Sequence, residues 1–122
     1  MRSFGKMAME PNFIIVPQPE PMAVLWAAFP ELQSELDDLE KDLGPYYAYE
    51  RLVVYLVRAR SNDQLWKRAY AFFDSLATGA PTLEDLLGEV LEQMCEHPDL
   101  IDRLKENLGN HSRKFLENLI GS

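Results

Sequence analysis

The chain has 122 residues, 47% of them apolar, with 20 acids against 12 bases for a net charge of -8. That length suits one domain with its own core, and the acidity opposes nucleic acid and anionic membranes as partners, since both call for a basic footprint. A protein with a basic surface is what such a charge attracts, chiefly by speeding association.

Residues 1–20 read as an extended, Pro-rich arm. Pro11, Pro17 and Pro19 each remove a backbone donor and oppose a helix. Phe13, Ile14, Ile15 and Val16 are the apolar run of this arm, either packed on the helical body or part of a tail without fixed structure. The run is too short for a signal-peptide core, and nothing approaches the roughly 20 apolar residues of a membrane span. A cytoplasmic location is the expectation.

Residues 21–122 read as an all-α domain, a single compact bundle of about six or seven helices. Pro21 suits the first turn of the first helix, and Pro30 ends or kinks it. Leu32, Leu36, Leu39 and Leu43 follow at spacings of four, three and four, which predicts one apolar stripe on a second helix stopped by Gly44-Pro45. A third helix covers about 46–60, with Leu52, Val53, Tyr55, Leu56 and Val57. Ser61 and Gln64 match a capping box that opens a fourth, carrying Leu65, Trp66, Ala69, Phe72 and Phe73. Thr82 is the expected cap of a fifth, whose inner face is Leu83, Leu86, Leu87, Val90, Leu91, Met94 and Cys95. Pro98 opens a sixth with Leu100, Ile101, Leu104 and Leu108. A last short helix holds Phe115, Leu116, Leu119 and Ile120.

The inventory for catalysis is thin. The two histidines are His97 and His111, and the single cysteine is Cys95. Cys95-Glu96-His97 offers two zinc donors where a structural site takes four. Glycine-rich phosphate loops, nucleophile elbows and zinc-protease helices are missing from the sequence. The reading is a protein that is no enzyme and needs neither cofactor nor metal, with Cys95 as a buried, inert thiol.

The acids are unevenly placed. On a continuous helix, Glu31, Glu35, Asp38 and Asp42 share a strip about 60° wide beside the leucine stripe. Asp85, Glu89, Glu92 and Glu96 form a similar strip on the fifth helix. The first strip runs into Tyr46, Tyr47 and Tyr49, a residue type enriched at interface hot spots. Tyr49 fits the apolar face best. Glu35, Asp38, Asp42, Tyr46 and Tyr47 are therefore the candidate partner-binding residues. Arg51, Arg58, Arg60, Lys67 and Arg68 give the middle of the chain a basic bias suited to internal pairing.

From about Pro30 to Leu119 the chain resembles a family of short, all-helical bacterial domains. The resemblance is carried by Phe29-Pro30-Glu31-Leu32, by the segment from Arg68 to Leu76, by Leu86-Leu87-Gly88-Glu89-Val90-Leu91-Glu92, and by His97-Pro98-Asp99-Leu100 with Leu108-Gly109-Asn110-His111-Ser112-Arg113. These are core and turn positions, so they speak mainly for a fold. Some members of such families look like immunity proteins of polymorphic toxin systems. The resemblance implies a protein that binds a cognate toxin domain and blocks its active site. The alternative is a non-catalytic helical adaptor or scaffold in a bacterial assembly.

Overall fold

A proline stands at the first position of four helices, where its missing amide hydrogen costs nothing and its fixed φ favours the helical turn. The computed structural model describes residues 20–121. Within them the chain forms α1 (Glu20–Ala28), α2 (Pro30–Glu35), α3 (Asp38–Lys41), α4 (Pro45–Arg58), α5 (Asp63–Ala77), α6 (Pro81–Met94), α7 (Pro98–Asn107) and α8 (Asn110–Ile120). No strand occurs among the described residues. The all-α expectation holds, with eight helices in place of six or seven. The arm read over residues 1–20 lies outside the described residues, apart from Glu20, which begins α1.

The core follows the apolar spacing. Helix α6 packs on α4, α5 and α8, and α5 packs on α8. Leu86, Leu87, Val90, Leu91 and Met94 of α6 are wholly buried, as are Trp66, Ala69 and Phe73 of α5. Helix α1 lies against α2 and α4, and Tyr49 fastens it by donating its hydroxyl to the Pro21 carbonyl at 2.7 Å. Phe72 gathers the aromatic residues on this side, meeting Phe29 edge-on at 5.5 Å and Tyr49 stacked at 6.0 Å. The Trp66 indole donates to the Ala59 carbonyl at 3.1 Å, and Arg103 lies over the Trp66 ring at 4.3 Å.

Three local expectations are corrected. The second helix is not continuous. It ends at Glu35, Leu36 turns to extended backbone with ψ 135, and α3 starts afresh at Asp38. The cause is a reciprocal capping box. The Asp37 carboxylate accepts the Glu40 amide at 2.8 Å, while the Glu40 carboxylate accepts the Asp37 amide at 3.1 Å. Helix α5 is capped by Asn62, whose side chain accepts the Leu65 amide at 3.1 Å, so Ser61 and Gln64 form no box. Ala80 occupies the cap position of α6 and Pro81 the next, which places Thr82 inside the first turn.

Candidate interaction surface

The break between α2 and α3 decides what the candidate residues do. On one unbroken helix Leu39 and Leu43 would follow Leu32 and Leu36 into the core. Leu32 and Leu36 are indeed buried, but restarting the helix at Asp38 rotates the rest of the stripe outward. Leu39 is 79% exposed and Leu43 63% exposed, and Tyr46, one turn of backbone further on, is 55% exposed. The acidic strip is likewise dispersed. Glu31 faces inward, accepting Arg68 at 2.9 Å and the Tyr55 hydroxyl at 2.9 Å. Burial pushes the Glu31 carboxyl up, but hydrogen bonds from Arg68, its own backbone and Tyr55 outweigh it and hold it below its usual range. Burial and that same bond push the Tyr55 phenol up to about 12.

Glu35, Asp38 and Asp42 all remain exposed, Glu35 at the end of α2 and the other two at the ends of α3. Asp38 and Asp42 come together on the rim of a cavity of about 540 Å³ between α1 and α3, with Met22, Trp26 and Pro45 among its walls. Glu35 and the two tyrosines do not line it. Tyr47 is half-buried and donates its hydroxyl to Glu40 at 2.7 Å, which ties α3 to α4. That bond lowers the Glu40 pKa and raises the Tyr47 pKa. Gly44, at φ 97, supplies the left-handed turn between the two helices.

Between Glu35 and Tyr46 the chain thus exposes three large apolar side chains, Leu39, Leu43 and Tyr46, and four carboxylates, Glu35, Asp37, Asp38 and Asp42. Sequence reasoning placed both leucines in the core. The signal that finds them is Asp37 followed three residues later by Glu40, which is a helix-start pattern in the middle of an apparently continuous stripe.

Of the five basic residues expected to pair internally, Arg60 and Arg68 form ion pairs, while among the described residues Arg51, Arg58 and Lys67 form none. Arg68 also donates to the Ala28 carbonyl at 2.8 Å and lies over the Phe29 ring. Arg60 pairs with Asp99 at 3.0 Å, and Arg103 reaches Asp63 at 3.4 Å, the Tyr70 hydroxyl and the Arg60 carbonyl. The second acidic strip survives intact, with Asp85, Glu89, Glu92 and Glu96 all exposed.

A serine, a histidine and an aspartate do meet, but as a cap. The Asp74 carboxylate accepts the backbone amides of His111 and Ser112, the Ser112 hydroxyl at 3.1 Å and the His111 ring at 3.2 Å. Ser112 is buried, and its hydroxyl turns to Asp74 and the Gly109 carbonyl rather than to the imidazole. Such an arrangement fixes a helix start and does not activate a nucleophile. Cys95 is half-buried, with its thiol pKa pushed up by burial and by the Glu92 charge. Among the described residues no group of three or more His, Cys, Asp and Glu side chains is placed to hold a metal, and no helix is long and apolar enough to cross a membrane. No protein-family model, curated protein or solved structure matches the chain.

Proposed function

We propose that the protein is a non-catalytic binding protein of the immunity type, which docks on a cognate bacterial toxin domain and occludes its active site. The observation that carries this reading is the exposure of Leu39, Leu43 and Tyr46, at 79%, 63% and 55%, within one short stretch of chain that also exposes Asp38 and Asp42. Large apolar side chains held in water are a cost unless something covers them, and protein interfaces combine apolar anchors with polar neighbours. Glu35, Asp38 and Asp42 supply the complement to Lys or Arg around a basic cleft, and Tyr46 supplies anchoring area. Tyr47 acts one step back, holding α3 in place through Glu40.

The adaptor reading draws on the separate strip of Asp85, Glu89, Glu92 and Glu96, a second exposed acidic face from which another partner could be held. Co-expression with the product of the adjacent gene, followed by affinity capture and a survival assay in cells producing that product, separates the two. A stoichiometric complex that restores growth, lost on Leu39→Asp, supports immunity. Capture without any growth phenotype, dependent on the α6 strip and indifferent to Leu39→Asp, supports the adaptor.

A further inference from the structure

Helix α3 is attached to the rest of the molecule by very little. None of its residues is buried. Its capping box closes between Asp37 and Glu40, and the amides of Lys41, Asp42, Leu43 and Gly44 bond back to carbonyls of residues 37–41. Among the described residues, the Tyr47 hydroxyl on Glu40 is the only hydrogen bond from residues 37–43 to another helix, and no ion pair joins them to one. The chain on either side is fixed, with Leu36 before the segment and Ala48 and Tyr49 of α4 after it all in the core. Between these anchors the backbone has a pivot at each end. Leu36 is extended, with ψ 135, and Gly44 takes φ 97, with nothing beyond its chain neighbours within 4 Å of where a Cβ would stand. A glycine with open space around it can rotate through conformations barred to other residues.

We propose that residues 37–44 form a flap, latched by Glu40 to Tyr47, which opens as one piece while the other helices stay folded. What the flap covers is the cavity of about 540 Å³ between α1 and α3. Asp38, Lys41 and Asp42 line it from the flap, and Met22 and Trp26 line it from α1, both of them buried while the flap is shut. Opening lifts the three charged side chains away and gives small solutes access to Met22 and Trp26. It breaks no core packing, because α3 contributes none. What it gives up is the Tyr47 bond and a single turn of helix. Segments with few buried apolar contacts are the ones that open below global unfolding. Glu40 is the natural latch, since one carboxylate both closes the helix start and ties it to α4. The flap belongs to the fold itself, so it stands whether or not Asp38, Leu39, Asp42 and Leu43 meet a partner.

Native-state hydrogen exchange of the full chain tests this, and its first arm needs no variant. The amides of residues 40–44 are all hydrogen-bonded within the flap. They should exchange through one common opening, with similar protection factors at least about tenfold below those of Leu87–Leu91 in α6. Protection that is graded along the segment, or as high as that of α6, would overturn the flap. Tyr47→Phe removes only the latch hydroxyl. It should speed these amides together by at least about fivefold and leave α6 and α8 unchanged, whereas no response would remove Glu40–Tyr47 as the latch. Acrylamide quenching reads the cavity. Of the two tryptophans Trp66 is wholly buried, so Trp26 supplies the quenchable emission. The quenching constant should rise at least about twofold in Tyr47→Phe, and an unchanged constant alongside faster exchange would show that α3 opens without uncovering α1.

Discussion

Asp74 on α5 caps a helix that is not its own, accepting the Ser112 amide at 3.0 Å and the Ser112 hydroxyl at 3.1 Å from the first turn of α8. The backbone bond from Ser112 is the main reason its pKa lies below the ordinary aspartate range, with smaller help from His111 and the Ser112 side chain. Asp74→Ala should cost about 0.5–2 kcal/mol, the range for losing a cap, as read from urea denaturation. Because the folded pKa is depressed, the ionised carboxylate stabilises the fold fully above its unfolded pKa near 3.9, and that contribution fades as pH falls through the folded value. The stability difference between wild type and Asp74→Ala should therefore shrink below about pH 4; a difference that stays constant into stronger acid would contradict the cap.

Gly109 is the counterpart of this cap. A Cβ at that position would sit 2.6 Å from Asp74 Oδ1 and 2.7 Å from its Cγ. Its φ of -70 is open to any residue, so the constraint is space, not backbone strain. Gly109→Ala should destabilise by about 1–3 kcal/mol, as overpacking does. In the Asp74→Ala background the same change should cost much less, and a double-mutant cycle measures that coupling. Simple additivity would mean the carboxylate is not what the new methyl meets.

The two halves of the leucine series should behave as different materials. Leu32→Ala removes a side chain that is 1% exposed, and Leu87→Ala and Leu91→Ala remove wholly buried ones, so each should cost about 2–5 kcal/mol. Leu39→Ala and Leu43→Ala should stay within about 0.5 kcal/mol of wild type. Thermal or urea unfolding of this set decides whether the helix breaks at Asp37. A large loss at Leu39 would restore the continuous stripe.

Binding should divide kinetically along the surface. Asp38→Asn with Asp42→Asn should slow association with the partner and flatten its dependence on salt, because rim charges act mostly on encounter. Tyr46→Ala and Leu39→Ala should speed dissociation instead, as truncated anchors do. Surface plasmon resonance across a salt series distinguishes the two. If neutralising Asp85, Glu89, Glu92 and Glu96 abolishes binding while these four changes leave it untouched, the partner sits on α6.

The fold was legible where spacing and burial agree. Leu83, Leu86, Leu87, Val90, Leu91 and Met94 predict one face of α6, and the structure buries them all. Tyr49 was separable from Tyr46 and Tyr47 because it alone falls on the inner face of α4. The α2–α3 break was hidden because Leu32, Leu36, Leu39 and Leu43 satisfy helical periodicity whether or not the helix is continuous. Periodicity reports direction around an axis, and a local cap that tilts the axis defeats it. The partners of Asp74 were beyond reach for another reason. They lie 37 and 38 residues away, and no local pattern announces a cap contributed by a distant helix.

Helix α3 has a last consequence. Its four residues place no side chain in the core, yet the capping box and the Tyr47–Glu40 bond hold it in register. Positions 39 and 43 are thus uncoupled from the packing that keeps the protein folded. Their side chains can be exchanged for others of different size or charge without repacking anything beneath them. A short, rigidly mounted cassette of this kind lets the chemistry of one stretch of surface change, substitution by substitution, while leaving untouched whether the protein folds.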